Sequence, residues 1–560
     1  MLEGFTPWPA ELATLYHERG YWRDQPLGDI VDRGAERFGD REALASGTQR
    51  ITYHELKRRV DRLALHLLRL GLRPRDRIVV HLNNTPEFVY LYFACAKTGV
   101  LPVMALLAHR QTEISYLAGF SRAAAYAGPT MLRGFDYQEL GRQVRQTVHG
   151  LRLILAAGEG ADPDVVSLAD LHADPIEERQ PAATLADVRP DPSDVALFLL
   201  SGGTTGLPKL IPRAHNDYEY NSRASGAVCG IGPETVYLAV LPVSHNFALA
   251  SPGLQSVLQA GGRVVLADTT EPAQAFRLIE QERVTHTSLV PALAMRWLDA
   301  AERERFDLSS LRVLQVGGAK LNPEPAQRVR PTLGCQLQQV FGMAEGLLNY
   351  TRLDDPEEEV VTTQGRPCSP DDEIRLVDEE GRDVPPGHPG ELLARGPYTI
   401  RGYYNAPEHN QRAFTPDGYY RTGDIVRVSP SGNLIVEGRA KDLINRGGEK
   451  ISAEEIENLV LAHPSVFNAA AVAMPDPVLG ERTCVYVILR PGARLTFPEL
   501  IIFLQAQQIA KFKLPERLEV VDSFPLTSVG KISKKDLRDD IARKQQAEAA
   551  TAARAGNPAQ

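Results

Sequence analysis

The stretch Leu199–Asp217 reads LLSGGTTGLPKLIPRAHND and determines how the rest of the chain is interpreted. Three glycines and two threonines precede Lys209, directly after the apolar run Val195–Leu200. Glycines let a backbone approach a phosphate closely, and successive backbone amides form a concavity that binds anions. The pattern predicts a phosphate-binding loop behind a buried strand of an α/β protein, with a simple glycine-rich turn as the structural alternative.

The loop is not that of a P-loop NTPase. Pro208 stands where such a protein has glycine before its lysine, and Leu210 stands where Ser or Thr would follow. The chain also has no HExxH, GxSxG or GxGxxG motif. These observations argue against Walker-type NTPases, zinc proteases, standard serine hydrolases and Rossmann dehydrogenases.

The sequence around this loop alternates between strand and helix patterns. Residues 50–72 read as a short strand and then a helix that ends near Gly71, and RIVVHLNN followed by PEFVYLYFACAKTGV repeats the order. VYLAVLP, GRVVLAD, THTSLVP and LRVLQVGG read as further strands with helical stretches between them. This rhythm predicts an α/β fold of βαβ-type sheets covered by helices.

The pattern changes beyond about residue 365. Short alternating strands with Pro and Gly turns predict a β-barrel-like subdomain, and a small mobile α+β domain follows. Ser452, three residues before Glu455, is a candidate N-cap for the first helix of that domain. The predicted domains are 1–438, a hinge at 439–442, a mobile domain at 443–542, and a tail at 543–560 that is either a frayed helix or disordered.

Length and composition narrow the class of protein. The 560 residues exceed one hydrophobic core, and a net charge of −9 argues against a nucleic-acid partner. Five scattered cysteines without a CxxC pair suggest reduced thiols rather than zinc or disulfides. The chain shows neither a signal peptide nor an apolar run long enough to span a bilayer, so we expect a cytoplasmic protein without a membrane partner.

Three further motifs carry candidate chemistry. LQQVFGMAE brings Glu345 to the end of an apolar strand, where an α/β sheet binds ligands and Mg²⁺. GYYRTGD ends at Asp424, which could accept both hydroxyls of a ribose, and PLTSVGK ends at Lys531 in a loop of the small domain. Taken singly, each has a simple alternative: a solvated helix start, a turn aspartate and a surface lysine.

In order and spacing, SGGTTGLPK, QQVFGMAE, YYRTGD, GRAKDLINRGGEKISAEEIE and PLTSVGKISKKDL resemble the adenylate-forming (ANL) superfamily of acyl-CoA synthetases, peptide-synthetase adenylation domains and luciferases. The likeness extends from about residue 25 to residue 540. GFTPWPAELATLYHERGYW, LPVSHNFALASPG and VFGMAEGLLNYTRLDDP are more similar still to the aryl acid–AMP ligases. Those enzymes load 2,3-dihydroxybenzoate or salicylate onto carrier proteins for siderophore synthesis.

The resemblance implies two steps. An aryl carboxylate reacts with ATP and Mg²⁺ to give an acyl adenylate and pyrophosphate, and a phosphopantetheine thiol then displaces AMP. The implied partner is an aryl carrier protein or a carrier domain of a nonribosomal peptide synthetase. The implied catalytic residues are Lys531, Glu345 and His245, with Glu345 also holding the metal. The implied ATP-binding residues are Ser201, Gly202, Gly203, Thr204, Thr205, Gly206, Lys209, Gly317, Gly318, Ala319, Val340, Phe341, Gly342, Asp424, Arg439 and Lys531.

The resemblance also implies a moving small domain. Lys441 falls at the hinge position of the family, where the small domain rotates between the two half-reactions. That rotation would exchange Lys531 for the loop of Gly447 and Gly448, which then borders the tunnel of the thiol.

The implied aryl-acid residues are Asn246, Phe247, Ser251, Gly318, Val340 and Leu348. Asn246 could hydrogen-bond an ortho hydroxyl, and the absence of an acid that pairs with an amine argues against amino-acid substrates. Ser251 favours 2,3-dihydroxybenzoate, whereas Leu348 favours salicylate and Phe247 departs from the tyrosine common in dihydroxybenzoate enzymes. We place 2,3-dihydroxybenzoate slightly ahead of salicylate, with 3-hydroxypicolinate third.

Two other functions are weighed against carrier loading. The first is an aryl- or fatty-acyl-CoA ligase that releases a soluble thioester. The second is a binding or scaffold homologue without activity, which the retention of Lys531, Glu345, Asp424 and the phosphate loop argues against.

Overall fold

The computed structural model describes residues 1–201, 208–302, 305–439, 442–446, 449–477, 479–507, 511–527 and 531–555, with the side chains of 445, 449, 450 and 549–555 left out. These residues form two compact units. The first consists of residues 1–374 and 394–421, and the second of residues 375–393 and 422–555.

The helices occur along the whole chain. In chain order they are α1 Ala10–Glu18, α2 Asp29–Phe38, α3 Tyr53–Arg69, α4 Pro86–Thr98, α5 Gln111–Ser121, α6 Tyr137–Thr147, α7 Leu168–Ala173, α8 His215–Val228, α9 Asn246–Ala250, α10 Leu254–Ala260, α11 Pro272–Glu282, α12 Pro291–Ala301, α13 Pro323–Leu333, α14 Glu357–Thr362, α15 Pro407–Ala413, α16 Ala453–Leu461, α17 Phe497–Ala506 and α18 Lys534–Ala555.

The strands alternate with these helices in the first unit and are more closely spaced after residue 365. They are β1 Glu42–Ser46, β2 Gln49–Thr52, β3 Arg77–Val80, β4 Leu101–Met104, β5 Ala123–Pro129, β6 Met131–Leu132, β7 Phe135–Asp136, β8 Leu153–Ala157, β9 Val166–Ser167, β10 Val195–Leu200, β11 Leu210–Ala214, β12 Val236–Ala239, β13 Arg263–Leu266, β14 His286–Leu289, β15 Val313–Gly317, β16 Gln336–Met343, β17 Gly346–Tyr350, β18 Arg366–Pro367, β19 Glu373–Val377, β20 Gly390–Arg395, β21 Tyr420–Val428, β22 Leu434–Arg439, β23 Leu443–Arg446, β24 Glu449–Ser452, β25 Val466–Asp476, β26 Gly480–Leu489 and β27 Arg517–Val520.

The first unit contains two large sheets. One has the strand order β18-β17-β16-β15-β14-β12-β13-β1-β2, and the other the order β11-β10-β4-β3-β5-β8-β9. Their central strands pair in parallel, as β14 with β15 and β3 with β4, whereas β11, β17 and β18 join antiparallel at the edges. Parallel strands need apolar side chains on both faces, which is why β15 is buried throughout.

Local side-chain and backbone chemistry defines the ends of helices in the first unit. The Thr52 side chain caps α3 by accepting a hydrogen bond from Glu55 N, and Leu56, Val60 and Leu63 on its inner face are fully buried. Gly99 ends α4 in the left-handed conformation with φ of 69°. The capping residues and the helical spacing of the apolar side chains therefore indicate the same helices in this part of the fold.

The second unit contains a four-stranded sheet of order β19-β20-β21-β22 where the sequence predicted a barrel-like subdomain. A five-stranded sheet follows, in the order β24-β23-β26-β25 with β27 paired to β26. The predicted cap is present, because Ser452 Oγ accepts a hydrogen bond from Glu455 N at 3.2 Å. Helix α18 includes residues 543–555 of the predicted tail, and 556–560 lie outside the described residues.

The predicted α/β class, with a large mixed-sheet domain and a small C-terminal domain, is confirmed. The domain boundaries at 438 and 542 and the hinge at 439–442 stay predictions. Among the residues that the structure describes, no helix combines the length and the apolar character needed to cross a lipid bilayer.

Candidate active site

The glycine–threonine loop connects two antiparallel strands. Leu200 of β10 pairs with Leu210 of β11, and at the base of the loop Ser201 N donates to Lys209 O at 3.0 Å. Ser201 Oγ in turn accepts from Lys209 N at 3.0 Å. A P-loop passes from strand to helix, so this loop has a different local architecture. The predicted residues Gly202, Gly203, Thr204, Thr205 and Gly206 lie outside the described part of the chain.

Lys209 lies beside an aromatic ring at the exit of this loop. Its Nζ is 5.8 Å from the centroid of the Tyr403 ring, within the range of a cation–π contact. The Tyr403 hydroxyl also donates to Glu345 Oε1 at 2.7 Å. Tyr403 therefore links the lysine of the loop to the predicted metal-binding acid.

Glu345 lies in the turn between β16 and β17 and is only 8% exposed. Its backbone carbonyl accepts from Ile400 N at 2.8 Å, which fixes the turn. Burial, with Glu345 and Tyr420 nearby, raises the pKa of Tyr403, so its phenol stays a neutral donor to the carboxylate. The Tyr403 hydroxyl also lies 2.9 Å from the Tyr420 hydroxyl.

The surroundings of Glu345 fit a magnesium ion that is shared with phosphates. The second oxygen, Oε2, has no partner among the described residues. The same residues contain no cluster of three or more His, Cys, Asp or Glu side chains placed to hold a metal. Mg²⁺ is typically bound through one or two carboxylates together with substrate phosphates, so a single buried carboxylate is a suitable donor.

The strand ends at β15 and β16 bring the predicted adenine and aryl positions together. Gly317 pairs with Val340, and a Cβ added to Gly317 would lie 3.0 Å from Val340 Cβ and 3.1 Å from Phe247 Cε1. The next residue, Gly318, has φ of +84°, a conformation that favours glycine. Ala319 follows it as an exposed residue.

The hairpin of β16 and β17 adds Leu348 to this group. Gly342 pairs with Leu348, and a Cβ on Gly342 would lie 2.5 Å from Leu348 Cδ2. Phe341 O accepts from Asn349 Nδ2 at 3.0 Å, which ties the two strands together. Glycine at 317 and 342 thus leaves room for the side chains predicted to surround the aryl group.

The segment from His245 to Ser251 begins and ends the short helix α9. His245 caps the helix, since its Nδ1 accepts from Phe247 N at 3.3 Å. Asn246 Oδ1 accepts from the Tyr218 hydroxyl at 2.8 Å, and its Nδ2 has no acceptor among the described residues.

Ser251, at the other end of α9, is held by the same neighbouring helix. Its Oγ accepts from Asn221 Nδ2 at 3.0 Å. Tyr218 and Asn221 are three residues apart on α8, so they lie on one face of it. That face of α8 therefore fixes both polar side chains of the predicted aryl-acid site, Asn246 and Ser251.

The two residues predicted to bind the ribose, Asp424 and Arg439, belong to the second unit. Asp424 on β21 pairs in register with Arg439 on β22, and Arg439 Nε donates to Asp424 Oδ1 at 2.6 Å. Asp424 N donates to Thr422 Oγ1 at 3.0 Å, and the Thr422 hydroxyl donates to Leu392 O at 2.9 Å. The carboxylate is thus held in one orientation on a sheet.

Lys531 also belongs to the second unit and is exposed. Thr527 N donates to its carbonyl at 2.7 Å, and Lys531 N donates to Thr527 Oγ1 at 3.2 Å. The predicted hinge residue Lys441 and the tunnel residues Gly447 and Gly448 lie outside the described residues.

Sequence reasoning missed the residues that hold the predicted ones. These are Tyr403 at Glu345, Tyr218 at Asn246, Asn221 at Ser251 and Thr422 at Asp424. Each contact except the last joins residues at least 28 positions apart. Only Thr422, inside the motif YYRTGD, carried a local signal.

The comparisons with known proteins identify the family of the chain. A family model described as AMP-binding enzyme matches residues 31–404, and one described as AMP-binding enzyme C-terminal domain matches residues 455–531. Together they include every described residue of the predicted site except Asp424 and Arg439.

The chain is similar along nearly all its length to characterised ligases. It is 54% identical over 544 residues to the 2,3-dihydroxybenzoate-AMP ligase of Bacillus subtilis (strain 168), which covers 97% of this chain and 99% of that protein. It is 55% identical over 543 residues to the salicylyl-CoA synthase / salicylate adenylyltransferase of a Streptomyces species, covering 96% and 98%. The apo structure of Mycobacterium smegmatis MbtA is 45% identical, with a TM-score of 0.73 and coverage of 96% and 98%.

These findings confirm the predicted family, the predicted use of ATP and the prediction that the chain is a ligase. The roles of the individual site residues stay predictions. The chain belongs to the AMP-binding, adenylate-forming enzymes and, within them, to the aryl acid–AMP ligases.

Proposed function

We propose that this chain activates an aryl carboxylic acid with ATP and then transfers the aryl group to the phosphopantetheine thiol of an aryl carrier protein, in siderophore or other nonribosomal peptide synthesis. The observation that carries the proposal is the neutral amide of Asn246, which Tyr218 holds in place. Its Nδ2 is available to donate to an ortho oxygen of an aryl acid. The segment Ser244–Phe247 contains no acid that would bind an amine, so amino acids fit poorly.

The first step joins two anions, so charge repulsion and orientation make up its barrier. A carboxylate oxygen attacks the α-phosphorus of ATP. The bond between the α-phosphorus and the oxygen that joins it to the β-phosphate breaks, and pyrophosphate leaves. In the proposal, Lys531 supplies positive charge to both anions in the transition state. The loop from Ser201 to Lys209 binds the β- and γ-phosphates.

Glu345 would hold Mg²⁺, which neutralises phosphate charge when it is bound. The buried Tyr403 hydroxyl keeps the carboxylate in one orientation by donating to Oε1, which leaves Oε2 for the ion. Asp424 would accept from the ribose hydroxyls with Arg439 beside it. His245, the third predicted catalytic residue, caps α9 and directly precedes Asn246 of the predicted aryl-acid site.

In the second step the thiol sulfur attacks the carbonyl carbon of the adenylate, and AMP departs as the thioester forms. The proposal assigns the change between the two steps to rotation at Lys441. That rotation would remove Lys531 and bring Gly447 and Gly448 to the tunnel of the thiol.

The proposed acid is 2,3-dihydroxybenzoate, ahead of salicylate. Ser251 is 1% exposed and carries a hydroxyl that suits a 3-hydroxyl, whereas Leu348 and Phe247 add apolar surface that suits salicylate. A buried hydroxyl without a partner costs about 1–3 kcal/mol, which is enough to decide the preference. The acid 3-hydroxypicolinate, with the same ortho hydroxyl, is the third candidate.

A second function is favoured by one observation. The name of the Streptomyces relative includes salicylyl-CoA synthase, an activity whose product is a CoA thioester. An aryl-CoA ligase would use the same first step and the same pocket. The acceptor of the second step therefore separates the two functions.

Two measurements test the proposal. Pyrophosphate exchange with each acid should give the highest kcat/KM for 2,3-dihydroxybenzoate, then salicylate, then 3-hydroxypicolinate. Product analysis with equal concentrations of CoA and a pantetheinylated aryl carrier protein should show aryl thioester on the carrier protein. Accumulation of aryl-CoA with an unloaded carrier protein would reject carrier loading in favour of the CoA ligase.

A further inference from the structure

Tyr403 contacts a histidine as well as the lysine and the acid already described. The imidazole ring of His409 lies against the Tyr403 ring, with the centroids 5.0 Å apart and the planes inclined by 59°. Lys209 Nζ is 5.8 Å from the centroid of the same ring, and the Tyr403 hydroxyl donates to Glu345 Oε1. His409, Lys209 and Glu345 therefore lie around one aromatic side chain, and all of them belong to the first unit.

Helix α15 holds His409 in this place. The next residue, Asn410, binds the Tyr403 backbone: its Oδ1 accepts from Tyr403 N and its Nδ2 donates to Tyr403 O, both at 2.9 Å. Phe414, which directly follows the helix, packs against the Tyr403 ring with the centroids 6.2 Å apart. Because these contacts fix α15 against Tyr403, the half-buried imidazole of His409 has a defined position beside that ring.

The positive groups near Tyr403 have no anion within the described part of the chain. Arg412 follows His409 by three positions on α15, so the two side chains lie on one face of the helix. Among the described residues, Lys209 Nζ and the Arg412 guanidinium form no ion pair, and neither ring nitrogen of His409 has a hydrogen-bond partner. Burial lowers the pKa of His409, and the charges of Lys209 and Arg412 lower it further.

These groups suit an anion with several acceptor oxygens. In the proposed function, Glu345 holds Mg²⁺ that is shared with phosphates, and Lys209 ends the loop that binds the β- and γ-phosphates. Both residues contact Tyr403, so phosphates held by them lie beside the ring that His409 also contacts. A phosphate oxygen is the acceptor that the imidazole and the guanidinium lack.

We infer that His409, together with Arg412 on the same helix face, is a further binding residue for the terminal diphosphate, the group that ATP and pyrophosphate share. The inference rests on the proposed function, because it assumes that the loop at Lys209 binds the β- and γ-phosphates. A ring nitrogen of His409 donates a hydrogen bond to a phosphate oxygen, and the exposed Arg412 adds positive charge beside it.

The test removes the ring nitrogens of His409 and keeps its aromatic contact with Tyr403. In His409→Phe we expect the KM of pyrophosphate in the exchange reaction to rise about tenfold, the size of one hydrogen bond to a charged group, while the KM of the aryl acid is unchanged. In His409→Gln, the amide can still donate, so the rise should be smaller.

A second measurement needs no turnover. Titration calorimetry of the chain without aryl acid should show weaker binding of Mg²⁺-pyrophosphate and Mg²⁺-ATP to His409→Phe by a similar factor. Binding of AMP, which lacks the diphosphate, should be unchanged, whereas a general structural defect would weaken it too. Arg412→Gln should weaken pyrophosphate binding about threefold at low ionic strength and less at high ionic strength, because salt screens an exposed charge.

His463→Phe is the matched control. His463 is also half-buried and also lies against an aromatic ring, that of Phe503, with the centroids 4.7 Å apart, but it belongs to the second unit. Its substitution should leave the affinities for pyrophosphate, ATP and AMP unchanged.

The outcomes separate the inference from the function on which it rests. If the wild-type chain exchanges pyrophosphate with no aryl acid, the proposed function fails, and calorimetry with Mg²⁺-ATP and Mg²⁺-pyrophosphate still tests His409. Weaker binding of pyrophosphate, with or without weaker binding of ATP, supports the inference if AMP binds normally. The inference is overturned if His409→Phe binds both diphosphate ligands as tightly as the wild type, if it loses AMP affinity in the same proportion, or if the wild-type chain binds neither diphosphate ligand.

Discussion

The Tyr403 hydroxyl donates to Glu345 Oε1 across 2.7 Å, inside the first unit of the protein. The two residues are 58 positions apart, and the contact is buried. A carboxylate held at one oxygen presents the other in a fixed direction. The pair thus gives the proposed metal-binding acid its orientation.

Removing this hydroxyl should weaken metal use more than aryl-acid binding. For Tyr403→Phe we expect kcat/KM in pyrophosphate exchange to fall about tenfold at limiting Mg²⁺, the value of a charge-assisted hydrogen bond, and to recover in part at high Mg²⁺. The measurement is exchange over a range of Mg²⁺ concentrations. Tyr419→Phe is the matched control, because that hydroxyl binds Glu373 at 2.9 Å instead. Equal Mg²⁺ dependence in both variants would contradict the role of Tyr403.

Lys531 should matter for one half-reaction only. We expect Lys531→Ala to lower adenylation by about 100-fold or more, because it removes positive charge from the joining of two anions. Thioester formation from preformed aryl adenylate should change little. Lys535→Ala removes a nearby exposed lysine and is the control. Similar losses in both half-reactions would contradict the assignment of Lys531.

A side chain at Gly317, at the end of β15, should disturb the residues predicted to surround the aryl acid. A methyl group there would lie 3.0 Å from Val340 Cβ and 3.1 Å from Phe247 Cε1, closer than ordinary contact. For Gly317→Ala we expect KM for the aryl acid to rise about tenfold, which corresponds to about 1.4 kcal/mol of lost binding. Gly232→Ala, with no atom within 4 Å of the added group, should leave KM unchanged. A normal KM in Gly317→Ala would separate this residue from the aryl-acid site.

Asp194 should make the stability of the first unit depend on pH. Burial opposes its ionisation, but hydrogen bonds from Val195 N and Leu2 N and the ion pair with Arg75 lower the pKa of its carboxyl below the usual value. A depressed pKa in the folded state contributes stability above the unfolded pKa, and this contribution is lost as the pH falls through the folded pKa.

For Asp194→Asn we therefore expect a loss of about 1–3 kcal/mol at pH 7, since the amide presents an NH₂ to the Arg75 donors. The difference from the wild type should begin to shrink as the pH falls below about 4, the usual pKa of an Asp in the unfolded chain, and it should be lost as the pH falls through the lower pKa of the folded state. Urea midpoints from pH 7 to pH 3.5 measure it, with the exposed Asp187→Asn as control. A difference that is constant over this range would contradict the linkage.

The sequence predicted much of the fold because the turn and capping residues and the spacing of apolar side chains indicate the same helices and strands. Apolar runs such as Val313–Gly317 are buried strands, and Ser452 caps the helix that its position predicted. The loop at Ser201 was located correctly at the end of β10, but its return along an antiparallel strand was not foreseen.

The sequence predicted the site residues that lie within a recognisable motif and missed those that lie outside one. Glu345, Asp424 and Asn246 were singled out by local pattern or resemblance, whereas Tyr403 and Asn221 were not. A tyrosine or an asparagine has no distinguishing local pattern when its partner is 30 or 58 positions away. The orientation of a side chain depends on tertiary contacts, and these appear only in the folded chain.

The most direct test of the account is pyrophosphate exchange by the purified chain with ATP, Mg²⁺ and an aryl acid. We predict exchange with 2,3-dihydroxybenzoate and salicylate, none with the twenty common amino acids, and loss of the aryl-dependent signal in Glu345→Gln. Absence of exchange with every benzoate and heteroaryl acid would contradict the central claim that this chain is an aryl-acid-activating enzyme.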